Sequence, residues 1–166
     1  MEKLLDKLDL LQINHSDYIK LYKNVDIKFL AKSIGKIPGS FDKQLLQFLK
    51  FTNGMSVFDY CFLSFNNKDF GTDIYKHTIE LWHDNNMISG EFVCFLSTSI
   101  NIEVGYIIDN TSDNHKIAIF IDGEDHYKII YNSFYDFFND FLNKLEQDLN
   151  FGIEEDKLYL NNFLLK

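Results

Sequence analysis

The chain has 166 residues, 46% of them hydrophobic and 16% aromatic, with a formal net charge of −9 and no arginine. This composition excludes a disordered polymer, and the length suits one domain over residues 1–166 with a real core. A net negative chain without the guanidinium that reads guanine and phosphate argues against direct nucleic-acid binding, and no apolar run reaches bilayer-spanning length.

Leu4, Leu5, Leu8 and Leu11 share one helical face, which predicts a short helix over Glu2–Leu11. The same opening lacks the order of basic, apolar and small residues found in a signal peptide, so a cytoplasmic protein is expected. Ser16-Asp17 predicts a cap for a second helix carrying Tyr18, Ile19 and Tyr22. Asp26 starts a third, turn-rich segment with Ile27, Leu30 and Ile34, ending at Gly35. Pro38 is the only proline, and Ser40 behind it predicts the cap of a helix from Phe41 to about Thr52. Phe41, Leu45, Phe48 and Leu49 form its apolar stripe, and Asn53-Gly54 supplies the positive-φ exit.

The pattern then changes to strands. Tyr60–Phe65, Phe92–Leu96, Val104–Ile108, Ile117–Ile121 and Tyr127–Tyr131 are short apolar runs, with a helix between residues 72 and 87. Residues 110–114 make a polar turn, and Asp122-Gly123 signals a hairpin, so the last three strands form an antiparallel meander. Ser133-Phe-Tyr-Asp136 has capping-box form and opens the strongest helix, striped by Phe134, Phe137, Phe138, Phe141, Leu142, Leu145 and Leu149. The tail from Phe151 carries Leu158, Tyr159, Leu160, Phe163 and Leu164, enough to pack back on the domain. The expected fold is α+β, one mostly antiparallel sheet wrapped by N-terminal and C-terminal helices.

No catalytic signature emerges. His77 and His83 stand six apart, a poor fit to one helical face, and with Glu80 and Asp84 they read as a polar face beside Trp82. Asp122-Gly-Glu-Asp125 lacks the alternating ligands of a calcium loop. Cys61 and Cys94 sit in apolar surroundings and read as buried free thiols. There is no phosphate loop, dinucleotide fingerprint or nucleophile elbow. The chain is therefore expected to be no enzyme and to use neither cofactor nor metal.

Charge is uneven. Residues 1–54 hold nine lysines and six acids, net +3, whereas residues 122–156 hold ten acids and two lysines, net −8. Such asymmetry fits either a solvated acidic surface or a face complementary to a basic partner.

The order of elements resembles the SUKH superfamily, which includes the SMI/KNR-type cell-wall regulators and many bacterial immunity proteins. The resemblance rests on Pro38, Phe41, Phe48, Leu49, Asn53 and Gly54, then on Gly105, Tyr106 and Asp109, then on Ser133, Phe134, Phe137 and Phe138. It covers about residues 26–145. The chain departs from the pattern in having no glycine between residues 110 and 115 and in carrying Ile37 before the proline. The resemblance implies a non-catalytic immunity protein that occludes a cognate toxin, often a nuclease, or else a regulatory or scaffold domain without a toxin partner. A nuclease presents a basic cleft, so acidic turn residues are the expected partner contacts: Asp109, Asp113, Asp122, Glu124 and Asp125.

Overall fold

The computed structural model describes residues 1–23, 25–37, 39–65, 73–84, 88–121, 123–124, 126–151 and 163–164. Among them are five helices: α1 (Glu2–Asn14), α2 (Ile27–Ile34), α3 (Lys43–Phe51), α4 (Ile74–Asp84) and α5 (Phe134–Phe151). Seven strands are interspersed with them: β1 (Ile19–Leu21), β2 (Met55–Val57), β3 (Tyr60–Phe62), β4 (Phe92–Thr98), β5 (Ile102–Ile107), β6 (Ile117–Ile121) and β7 (Lys128–Tyr131). All seven lie in one sheet in sequence order, each antiparallel to the next. The α+β class and the helices at both ends are as expected.

Period-two alternation gives the sheet two different faces. Tyr60, Phe62, Leu96, Val104 and Tyr106 are register neighbours on one face, which α5 covers. Phe62 is the centre of that layer, with ring centroids 5.1–6.4 Å from Phe48, Phe95, Phe137, Phe138 and Phe141. Ring pairs at these separations add to the burial of large apolar surfaces. Phe163 of the tail closes the same layer against Tyr131, Phe137 and Phe141. The opposite face carries Cys61, Ser97 and Glu103 in one cross-strand row, and α4 lies over it. Trp82 of α4 anchors there by donating its indole N–H to the carbonyl of Phe92 at 2.6 Å.

A β-bulge in β4 connects the two faces. Cys94 pairs with Gly105 and Leu96 with Val104, so Phe95 is the extra residue. Its carbonyl accepts the N–H of Leu63, and the N–H of Cys94 turns to the hydroxyl of Thr78 on α4. Both Phe95 and Leu96 thereby serve the aromatic face. Cys94 and Ser97, three apart and otherwise on opposite faces, come to the same one.

Several expectations are corrected. The segment after Ser16-Asp17 is no helix: Ile19 pairs with Val57 and Leu21 with Met55, making β1 an edge strand. Three residues beside a waiting partner gain sheet hydrogen bonds, whereas an isolated helical turn does not repay its nucleation. Ser40 does not cap α3. Asp42 does, accepting the N–H groups of Gln44 and Leu45 at 2.9 and 2.8 Å, and α3 starts at Lys43. Strand β2 was not anticipated, because Met55-Ser56-Val57 is too short to show alternation.

The exit from α3 is more elaborate than a cap. Thr52 is already extended, and only Gly54 of the Asn53-Gly54 pair has positive φ, +91°. A Cβ at Gly54 would lie 2.6 Å from the carbonyl of Phe62, so both space and conformation demand glycine. Asn53 is buried and stands in for a neighbouring strand: its amide donates to the carbonyl of Phe65 at 2.8 Å, and its carbonyl accepts the N–H of Phe65 at 2.9 Å. Asn53→Ala strands two buried backbone groups and is expected to cost about 2–4 kcal/mol. Urea denaturation should show the lowered midpoint with an unchanged slope.

Candidate functional site

The loop between β5 and β6 is held by a buried polar chain that starts at Asp42. One carboxylate oxygen caps α3, and the other accepts the N–H of His115 at 3.0 Å. Both residues are fully buried. The Nδ1 of His115 accepts the N–H of Asp109 at 3.1 Å, which places the ring proton on Nε2, 3.3 Å from the hydroxyl of Ser40. Ser40 in turn donates to the carbonyl of Asp109 at 3.0 Å. The His115 ring also packs 4.8 Å from the ring of Tyr106, whose phenol is pushed well above its ordinary range by burial and then by Asp42. The chain thus fixes the loop that presents two of the five acidic candidates.

Those candidates are used in different ways. Asp109 is exposed and folds over its own turn, accepting the N–H and hydroxyl of Thr111 at 2.8 and 2.5 Å. Asp113 is exposed but tied to the start of α3, where its carboxylate pairs with the Lys43 ammonium and its carbonyl accepts the Lys43 N–H. Glu124 is exposed on the β6–β7 turn, at the far end of β6 from Asp109 and Asp113. Strand β6 has five residues, about 16 Å at the usual rise, so the structure does not gather these three into one cluster. Asp122 and Asp125 lie outside the described residues.

The acidity of the second half is also partly internal. On α5, Asp136 accepts the hydroxyl of Ser133, and Asp140 takes the Tyr131 hydroxyl and the Lys144 ammonium. Glu146 pairs with Lys7 of α1 at 2.7 Å, and Asp148 is buried. Of the ten acids in that stretch, three are thus paired within the fold and a fourth is buried. At the same end of the sheet as Glu124, a cleft of about 220 Å³ is lined by Asp59, Tyr60, Ser99, Ile100 and Leu164. Ile100, at the tip of the β4–β5 hairpin, is 61% exposed.

A second group of polar side chains lies under α4. The Nε2 of His77 is 3.0 Å from Oε2 of Glu103, and the Cys94 thiol is 3.2 Å from the same oxygen. Ser97 donates to Oε1 at 3.0 Å. Cys61 shares this row; it is half-buried rather than buried, and burial followed by the Glu103 charge pushes its thiol up to about 12. Burial and Glu103 likewise raise the thiol of Cys94. The other polar residues of α4 are engaged elsewhere: Glu80 pairs with Lys76, and His83 and Asp84 form an exposed pair. Spacing along α4 could not reveal Cys94 and Glu103, because the bulge and the strand pairing supply them.

The model of the SMI1 / KNR4 family (SUKH-1) matches residues 23–140. The chain belongs to that family. No curated protein matches it. The SUKH-1 match runs from just before α2 into the first turns of α5, so it takes in the Asn53-Gly54 exit, the buried Asp42–His115 chain and the whole meander. Strand β1, which pairs with β2 inside the match, lies before it, as does α1. No helix among the described residues is long and apolar enough to cross a membrane.

The turn around Asp109 makes a direct test. Its carboxyl is held below the ordinary aspartate range, first by the Thr111 hydroxyl and then by the Thr111 N–H. Thr111→Val removes the larger of these, so the Asp109 midpoint should rise toward the usual range. NMR titration of the side-chain carboxyl carbon reads it.

Proposed function

We propose that this chain is a non-catalytic, cytoplasmic immunity protein that binds a cognate bacterial toxin and neutralises it by covering its active site. The observation that carries the reading is membership of the SUKH-1 family in a chain of net charge −9 without arginine. A toxin domain that cleaves nucleic acid needs a basic cleft for phosphate. An acidic partner competes for that cleft and is steered into it by long-range attraction.

The acidic loops are the proposed contacts. Asp122, Glu124 and Asp125, three acids within four positions between β6 and β7, would lead. Asp109 and Asp113 would contribute from the other end of β6. Exposed Ile100 offers an apolar contact on the same end of the sheet as Glu124, which suits an interface in which hydrophobic anchors supply affinity and a charged rim supplies rate.

Co-expression with the toxin domain encoded beside it should restore growth and give a complex that co-purifies. Charge reversal of the β6–β7 turn, Asp122→Lys with Glu124→Lys and Asp125→Lys, should slow association about tenfold or more and flatten its salt dependence. Stopped-flow association at two ionic strengths measures both. Undiminished association and full protection by the triple variant would remove the acidic turn from the interface. Failure of the unaltered chain to rescue growth or to bind would favour the regulatory-domain reading.

A further inference from the structure

We propose that His77, Cys94 and Glu103 form a binding site for a thiophilic divalent transition-metal ion of the zinc class, clipping α4 to the sheet. The donor atoms, imidazole Nε2, thiol Sγ and a carboxylate oxygen, all lie within 4.8 Å of one another. His77 Nε2 and Cys94 Sγ converge on a single oxygen of Glu103, at 3.0 and 3.2 Å. Ligand atoms around a tetrahedral zinc stand roughly 3.3–3.7 Å apart, given bonds of about 2.0–2.3 Å. Side-chain shifts on the order of 1 Å therefore seat an ion among them.

The donor set selects the metal. One thiolate and one imidazole with a single carboxylate suit Zn²⁺ or Co²⁺, and they disfavour Mg²⁺ and Ca²⁺, which want an all-oxygen shell. The three ligands come from three elements, α4, β4 and β5, so the backbone positions them independently. Ser97 binds the other oxygen of Glu103 at 3.0 Å and orients the carboxylate, the outer-shell support that metal ligands require. The site has a route to solvent along α4: the side chains of His77 and Glu103 keep 19% and 11% of their surface exposed, while Cys94 is closed off behind them. On binding, the ion takes the place of two protons directed at Glu103: the Cys94 thiol proton, which leaves to solvent, and the His77 Nε2 proton, which passes to Nδ1 as the neutral ring changes tautomer; the fourth coordination position stays open to water. Cys61 lies in the same cross-strand row as Glu103, on β3 with Ser97 of β4 between them, and is not one of the three ligands.

The test uses the full chain, reduced, stripped with a chelator and titrated with Co²⁺. A thiolate-to-cobalt charge-transfer band with tetrahedral visible bands should grow to a 1:1 end point and be displaced by Zn²⁺. Cys94→Ser should abolish the charge-transfer band, and Cys61→Ser should leave it intact. Ser97→Ala should weaken cobalt affinity about 10–100-fold with the band unchanged in shape. His77→Gln, altered at a partly exposed helical position, should lose 1:1 tetrahedral binding and provides the reading if Cys94→Ser misfolds. Zn²⁺ should also raise the melting temperature of the unaltered chain and leave that of His77→Gln where it was. Absence of the charge-transfer band in the unaltered chain, its survival in His77→Gln, or its loss in Cys61→Ser overturns the assignment.

Discussion

The buried carboxylate of Asp42 is the constraint from which the arrangement of the chain follows. A charged group fully removed from water is costly unless hydrogen bonds replace its hydration. Asp42 obtains them from three backbone N–H groups on two distant segments: Gln44 and Leu45 at the start of α3, and His115 in the β5–β6 loop. Satisfying one carboxylate therefore fixes where α3 begins, how it sits against the meander and which way the loop turns. Ser40 and His115 extend the same network to the backbone of Asp109. An aliphatic residue at position 42 would leave the first turn of α3 and the loop without a common partner.

Around that tie, the two faces of the sheet divide the labour. One buries rings against α5 and α3, and its cohesion comes from apolar area and ring packing. The other meets α4 through polar contacts: the Trp82 indole, the Thr78 hydroxyl and the His77–Glu103 pair. The bulge at Phe95 serves both. It adds an aromatic residue to the ring layer, and it aligns Cys94 and Ser97 with Glu103 on the polar side. Gly105 completes the fit, because a Cβ there would lie 2.4 Å from the carbonyl of Val93 and 2.5 Å from the Phe92 ring.

Legibility in the sequence followed the range of the interactions. Helices with a long apolar stripe were readable, since α1, α3 and α5 announce themselves every three or four residues. The central strands were readable from short β-branched and aromatic runs. Strands β1 and β2 were not, because three-residue strands carry no period and exist through each other. The cap of α3 was read as Ser40, whereas Asp42, two residues on, takes that place, and its other oxygen is held by His115, 73 positions away. The candidate site was the least legible. Counting charges marked the second half as acidic. Yet Asp136, Asp140 and Glu146 meet hydroxyls and ammonium groups supplied by the fold, one of them from α1. The His77–Cys94–Glu103 group was hidden for the same reason, its members being 9 to 26 residues apart.

The placement of Trp82 has a spectroscopic consequence. It is the only tryptophan in the chain, and it belongs to α4 on the polar side of the sheet, while the phenylalanine-rich layer lies on the other. Indole emission therefore reports the seating of one helix, without a second tryptophan to mask it. Loosening of α4 from the polar face of the sheet can thus be followed by emission without introducing a dye.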